Sequence, residues 1–233
     1  LRPLCLPDAL PGSIEAWLLP LDLAAPVAAE DWQLLDQGER ARAQKLARHE
    51  DRVRAVATRA SLKRLLAARL QWEPASLQFE AGPNGKPRLA EPRAPVFNVS
   101  HSGSYALIAI GASEAIATLG VDIEWHNGDL RLDALADYAF TASERAFLHA
   151  CREPGGDIPA PFFFRSWVAK EAVLKAVGVG IPEHLHRVSV HSCTGGELRV
   201  RHDMEGWLPL CGHGLEAPDN YSAAIAWQLA EAA

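Results

Sequence analysis

Trp167-Val168-Ala169-Lys170-Glu171-Ala172-Val173-Leu174-Lys175 sets two ammonium groups and a carboxylate in an apolar stretch that also holds Phe163, Phe164 and Val177. On a helix, Glu171 and Lys175 are four residues apart and share a face, with Lys170 nearby. Charges in so apolar a setting need solvent or a partner. The plain alternative is an amphipathic helix carrying an i,i+4 Glu–Lys pair, worth about 0.2–0.5 kcal/mol. A second group is Asp122-Ile123-Glu124, within Gly120-Val121-Asp122-Ile123-Glu124. On a strand these two carboxylates project from one face while Val121 and Ile123 pack behind. They repel each other unless a cation sits between them, and oxygen-only ligands suit Mg²⁺ or Mn²⁺. A strand running out into solvent is the competing reading.

Two further groups can meet an anion. In Asn98-Val99-Ser100-His101-Ser102-Gly103 a histidine at a strand end lies among hydroxyls, where it can contact a phosphate or bond its own turn. Gly85-Lys86-Pro87 is either a phosphate contact or a turn with an exposed lysine. His184, His186 and His191 have no Cys, Asp or Glu at ligand spacing and read as surface histidines. No nucleophile elbow, Walker A loop or dinucleotide fingerprint is present.

The elements that must position these groups follow from periodicity and turn chemistry. Residues 14–19, between Pro11-Gly12 and Pro20, read as a strand. Residues 30–36 read as a short helix, and a long helical region runs from Gly38 or Glu39 to Leu70 with a break near His49-Glu50. Residues 96–100 and 105–110 form a hairpin, and 115–124 a further strand ending in the paired carboxylates. Residues 130–139 and 142–151 read as helices, the second with Thr141 and Glu144 in a capping-box arrangement. A Pro/Gly-rich loop precedes the helix over 162–177, and strands follow near 187–190, 198–201 and 221–229. Tyr105-Ala106-Leu107-Ile108-Ala109-Ile110 echoes Tyr221-Ser222-Ala223-Ala224-Ile225-Ala226-Trp227, which suggests two similar α+β halves dividing near residues 111–118.

With 233 residues, 48% hydrophobic and 22% charged, the chain can bury a substantial core as one domain or two small ones. No charge-poor apolar run is long enough to span a bilayer, and the first ten residues lack the plan of a signal peptide. The four cysteines are scattered without a CxxC pair, which fits reduced thiols in the cytoplasm. A net charge of −6 argues against nonspecific nucleic-acid binding. Yet Arg40, Arg42, Lys45, Arg48, Arg52, Arg54, Arg59, Lys63, Arg64 and Arg69 face only Glu50 and Asp51 in the same stretch. Such a segment is a solvated helix face or the grip for a local anion.

Taken in order, Gly85-Lys86-Pro87, Asn98-Val99-Ser100-His101-Ser102, Gly120-Val121-Asp122-Ile123-Glu124 and Trp167-Val168-Ala169-Lys170-Glu171 with Lys175 strongly resemble the 4′-phosphopantetheinyl transferases. The resemblance is to the larger, monomeric Sfp-type branch and runs from about Arg40 to Gly180. It implies an α+β fold, a pseudo-two-fold single chain of two similar halves, 1–113 and 114–233, with the active site at their interface. The implied activity is that of a holo-[acyl-carrier-protein] synthase type transferase. It moves the phosphopantetheine arm of coenzyme A, the co-substrate, onto a serine of an apo acyl carrier protein or a peptidyl or aryl carrier domain, releasing 3′,5′-ADP.

By the same resemblance Asp122, Glu124 and Glu171 are the metal ligands, for Mg²⁺ or alternatively Mn²⁺, and Glu171 also serves as general base. Lys175 is the lysine that stabilises the leaving phosphate, and Lys170 a second phosphate contact. Ser100 and His101 belong to the nucleotide pocket, Gly85, Lys86 and Pro87 to the loop over the adenine and phosphates, and Arg42 and Arg54 to the grip on the 3′-phosphate. Trp167 is assigned to packing. Glu39, Ala55 and Trp125 depart from the pattern, standing where relatives carry Lys, Thr and a basic residue. A cytoplasmic monomer is expected, with neither nucleic acid nor membrane as a partner. Two other classes remain open: a noncatalytic module binding a cation and an acidic partner, and a Mg²⁺-dependent phosphohydrolase.

Overall fold

The computed structural model describes residues 1–91 and 93–231. In chain order the elements are β1 (Arg2–Pro3), β2 (Ile14–Pro20), α1 (Ala29–Leu34), α2 (Gln37–Gln44), α3 (His49–Leu70), β3 (Phe79–Ala81), β4 (Pro87–Leu89), β5 (Val96–Ser102), β6 (Tyr105–Gly111) and β7 (Ile116–Trp125). They continue as α4 (Leu132–Ala139), α5 (Ala142–Ala150), α6 (Ala160–Val177), α7 (Ile181–His184), β8 (Val188–Ser192), β9 (Leu198–His202), β10 (Cys211–Leu215) and β11 (Tyr221–Leu229).

Strands β6, β7 and β11 are nearly continuous apolar runs, and the reason is that each is covered on both faces. Leu107 and Ala109 of β6 meet Ile14, Ala16 and Leu18 of β2, together with Val121, Ile123 and Ile225, in a core between two sheets. Ile108 and Ile110, on the other face of β6, pack with Leu62 and Leu66 of α3. Ala224 and Ala226, on the far face of the second sheet, pack with Val168, Ala172 and Val173 of α6. The layers are therefore helix, sheet, sheet, helix, an α+β architecture.

The first sheet has the order β1-β2-β6-β5 and the second β10-β11-β7. Leaving β1 aside, β2-β6-β5 repeats as β7-β11-β10. Each half also inserts a long helix, α3 or α6, and a two-stranded ribbon, β3-β4 or β8-β9, after its first strand. The fold is pseudo-two-fold. Tyr105 and Tyr221, which open the equivalent strands β6 and β11, touch edge to face with ring centroids 5.1 Å apart.

The long helical region expected up to Leu70 is two helices, α2 and α3, separated at residues 45–48. Asp36 caps α2 in a reciprocal box with Glu39, the same device as Thr141 and Glu144 at α5. Strand β10 had no counterpart in the sequence reading, because Cys211-Gly212-His213-Gly214-Leu215 has neither β-branched residues nor alternation. Among the described residues no helix is long and apolar enough to cross a membrane.

One glycine sets the distance between β7 and α6. A Cβ on Gly120 would lie 2.2 Å from the Ala172 carbonyl oxygen and 2.3 Å from the Ala176 nitrogen. Backbone meets backbone there, so no side chain can yield. Gly120→Ala is expected to lower thermal stability by about 1–3 kcal/mol. It should also push the strand carrying Asp122 away from Glu171, so turnover falls further than the stability loss explains. Equal melting temperature and turnover in this variant would contradict the contact.

Candidate active site

Strand β5 is an edge of the first sheet and runs beside β7, the edge of the second. Side chains replace a ladder between them. Asn98 Oδ1 accepts the Val121 N–H at 2.9 Å, the Ser100 hydroxyl donates to Asp122 Oδ1 at 2.7 Å, and the Ser102 hydroxyl donates to Glu124 Oε2 at 2.6 Å. The alternation of a strand puts all three polar side chains of β5 on the face that meets the carboxylates. Helix α6 closes the site from the other side with Glu171 and Lys175, one helical turn apart.

The result is a cluster of four charges. Asp122 is fully buried, and one oxygen each of Asp122, Glu124 and Glu171 lies within 4.8 Å of the others. Lys175 Nζ stands among them, 2.6 Å from Asp122 Oδ1 and 3.3 Å from Glu171 Oε2. Three carboxylates against one ammonium leave two negative charges, the complement of one divalent cation. Burial, with Asp122 beside it, pushes Glu124 up to about 7, although hydrogen bonds from Ser102 and Trp167 pull the other way. Burial and the Asp122 charge likewise push Glu171 up to about 7, opposed by Lys175. Burial works against the Lys175 ammonium, yet Asp122 and Glu171 outweigh it and raise the pKa. Asp122 Oδ2 is buried without a hydrogen-bond partner. A carboxylate oxygen left so, among neighbours that resist ionisation, fits a cation ligand.

A cleft of about 360 Å³ opens against Lys175, bounded by Asn84, Pro87, Asn98, Val99 and Gly178. The loop carrying Gly85 and Pro87 forms one wall of it. His101 lies at the rim of the site, on the face of β5 opposite Ser100. Desolvation, with Arg54 and Lys175 adding like charge, holds its ring below the usual histidine value. Arg54 donates to the Gly103 carbonyl at 2.8 Å and to Asp51 at 2.7 Å, which fixes the β5–β6 turn beside His101. Arg42 instead lines a small recess with Glu39, Ala55 and Arg59. Glu39 is structural: it caps α2 and pairs with Lys63 at 2.9 Å and Arg59 at 3.2 Å.

Two expectations need correction. Lys170 does not face the cleft at Lys175. It is fully buried on the other side of α6, where its ammonium donates to Glu144 at 2.6 Å, to the Leu185 carbonyl at 2.6 Å and to the Ala139 carbonyl at 3.0 Å. Consecutive residues on a helix point about 100° apart, so one face cannot hold Lys170 together with Glu171 and Lys175. Lys86 lies at the cleft, but its side chain is not free to hold a ligand anion. Nζ donates to the carbonyls of Lys175 at 2.7 Å, Leu119 at 2.8 Å and Ala176 at 3.0 Å. Those bonds use every donor of the ammonium and tie the loop to the C-terminal end of α6. Burial lowers its pKa to about 8. Ser100 donates to Asp122 and accepts from Lys175 at 3.2 Å. Ser102, the partner of Glu124, was missed as a site residue, although the every-second-residue spacing of Asn98, Ser100 and Ser102 is legible in the sequence.

The sequence profile of the 4′-phosphopantetheinyl transferase superfamily matches residues 118–226, and that of the 4′-phosphopantetheinyl transferase N-terminal region matches residues 27–113. The chain is 37% identical over 221 residues, 91% of its length and 86% of the relative's, to slr0495 of Synechocystis sp., whose name assigns it provisionally to these transferases. It is 33% identical over 175 residues, 74% of this chain and 71% of the relative, to the 4′-phosphopantetheinyl transferase HetI of Nostoc sp.. Among solved structures, a holo-(acyl-carrier-protein) synthase from Bacillus anthracis covers 50% of this chain and 99% of its own, with a TM-score of 0.41 and 21% identity. The two profiles divide the chain between the half that supplies β5 and the half that supplies β7 and α6, and so meet where the carboxylates and Lys175 converge. The chain belongs to the 4′-phosphopantetheinyl transferase superfamily.

Proposed function

We propose that the cluster of Asp122, Glu124, Glu171 and Lys175 transfers the phosphopantetheine arm of coenzyme A to a serine of an apo acyl, peptidyl or aryl carrier protein. The observation that carries this reading is the buried cluster of three carboxylates around one lysine, opening on a cleft walled by the Gly85–Pro87 loop. The serine oxygen bonds to the β-phosphorus of coenzyme A, and the bond from that phosphorus to the 3′,5′-ADP oxygen breaks. Asp122, Glu124 and Glu171 would hold Mg²⁺. Bound there, it supplies neutralisation of the diphosphate and of the charge that develops on the leaving phosphate.

The chain's own groups do the rest. Lys175 presents its ammonium to the leaving phosphate, held in place by Asp122. Glu171 keeps 13% of its side chain exposed against 1% for Asp122, and Glu124 is engaged by the Ser102 hydroxyl, so Glu171 is the carboxylate assigned to receive the serine proton. His101 and Arg54 are assigned together to the 3′-phosphate, and Arg42, which lines the recess with Arg59, is a further cation for it. Backbone and ring atoms of Gly85 and Pro87 flank the adenine, while Lys86 holds their loop against α6. Both halves, 1–113 and 114–233, contribute to one site from one chain, which supports a monomer. Free Cys5, Cys151, Cys193 and Cys211 support a reducing, cytoplasmic setting.

Release of 3′,5′-ADP should require coenzyme A, Mg²⁺ and a carrier with its serine intact. A carrier with that serine changed to alanine should give none. Equal phosphate or ADP release without a carrier would make the protein a phosphohydrolase instead.

The carboxylates also set a pH signature. Glu124 and Glu171 titrate near 7 in the fold and near 4.5 when unfolded, so the folded state holds more protons between those values. Stability without metal therefore falls as pH rises from about 4.5 to 7 and then levels. Mg²⁺ competes with those protons. Its stabilising shift in melting temperature should be largest at pH 8 and nearly absent at pH 5.5. A shift independent of pH would contradict binding at this cluster.

A further inference from the structure

The pseudo-two-fold that builds the transfer cleft generates a second recess in the C-terminal half. Register fixes the equivalence. Tyr105 and Tyr221 start matching strands, Leu107 pairs with Ser100, and Ala223 pairs with Leu215. Leu215 thus stands where Ser100 stands, Gly214 where Val99 stands and His213 where Asn98 stands. Asn98 and Val99 line the cleft at Lys175, together with the β3–β4 turn. His213 and Gly214 line the second recess, together with the β8–β9 turn at Cys193, Gly195 and Gly196.

This recess holds about 540 Å³ against about 360 Å³ for the first. Neither lining contains Asp or Glu; the first presents Lys175 and the β3–β4 turn, and the second presents Arg165, His213, Ser222 and Tyr221. In a chain of net charge −6, a large recess free of carboxylates and holding an arginine is selective for negative charge. Arg165 is exposed at its mouth and forms no ion pair among the described residues. The Ser222 hydroxyl lies 2.9 Å from His126 Nε2, and the His126 ring stacks on Phe164, next to Arg165 in sequence. His213 is largely buried, with Nδ1 donating to the Gly214 carbonyl at 2.5 Å. Gly196 passes so close to the ring that a Cβ would lie 2.5 Å from Cε1, which keeps the turn's backbone in the wall.

We propose that this recess is a second ligand site, for the oxyanion group of a small molecule, with Arg165 as its cationic anchor and Ser222 as a hydroxyl donor. A phosphate or a carboxylate satisfies the same donors. The recess adjoins the transfer cluster without including it: Ser222 and Ala224 pair with Glu124 and Asp122 across β11 and β7, while the cationic anchor Arg165 lies six residues before Glu171 on α6.

The test is a titration of ¹⁵N-labelled full-length protein with inorganic phosphate, and separately with acetate, at ionic strength fixed by sodium chloride. The Gly195, Gly196 and Ser222 amides are expected to shift saturably with at least one of the two. Whichever anion binds with the lower midpoint identifies the oxyanion class. Arg165→Gln should weaken that midpoint at least tenfold and leave carrier modification at the wild-type rate, whereas Lys175→Ala should leave the shifts in place. The last variant keeps the two sites' outcomes apart. Shifts that do not saturate, that chloride reproduces, or that survive Arg165→Gln unchanged would overturn the proposal.

Discussion

Asp122→Ala reduces transfer by about 10³-fold while the chain stays folded. One Asp122 oxygen receives both Ser100 and Lys175, and the other is buried with nothing to accept from. Alanine removes the closest anchor of Lys175 and leaves the cluster one negative charge short of matching a divalent cation. Loss of a single preorganised electrostatic group costs about 10²–10³ in turnover, and here two functions fail together. The fold survives because no charge is orphaned. Lys175 keeps Glu171 at 3.3 Å, and Glu124 and Glu171 are relieved of a like charge. Turnover at saturating coenzyme A, with melting temperature as the control, checks this. A variant that melts normally and turns over at the wild-type rate would contradict the assignment.

Lys170→Met has the opposite profile, a large loss of stability. The side chains of Lys170 and Glu144 are 0% and 1% exposed, and their ion pair joins α6 to the N-terminus of α5. Glu144 also accepts the Val190 N–H at 2.9 Å, and Lys170 holds the Leu185 and Ala139 carbonyls, so one pair fastens α4, α5 and β8 to α6. Burial lowers the Lys170 pKa even as Glu144 opposes that, but methionine would leave the buried Glu144 without its counter-ion. Removing one partner of such a pair costs about 3–5 kcal/mol. In a chain of this size that corresponds to a fall in melting temperature on the order of 10 °C. Adding Glu144→Gln should recover part of it. Unchanged melting with a raised KM for coenzyme A would instead return Lys170 to the phosphate cleft.

Lys170 and Lys86 show where sequence reading reached its limit. Glu171 and Lys175 could be paired from their spacing alone, and Asp122 and Glu124 from strand alternation, because both follow from local geometry. That Lys170 turns to Glu144, or that Lys86 reaches across to the end of α6, depends on which elements lie within reach of a long side chain. Composition cannot supply that. The hairpin at β5–β6 was legible from its apolar runs and its turn. Strand β10 was not, since its glycines are placed by the neighbours they must let approach: a Cβ on Gly212 would lie 2.9 Å from Leu198. The carboxylates, with Gly120 beside them, were visible as a motif. That Gly120 is the point where β7 and α6 touch became visible only in three dimensions.

The most direct measurement is intact mass spectrometry of an apo carrier protein incubated with this protein, coenzyme A and Mg²⁺. The carrier should gain the mass of one phosphopantetheine group, and should not gain it when Mg²⁺ is chelated or when Asp122→Ala replaces the wild type. A folded wild-type protein that adds no such mass to any carrier from fatty-acid, polyketide or peptide-synthetase systems would contradict the account.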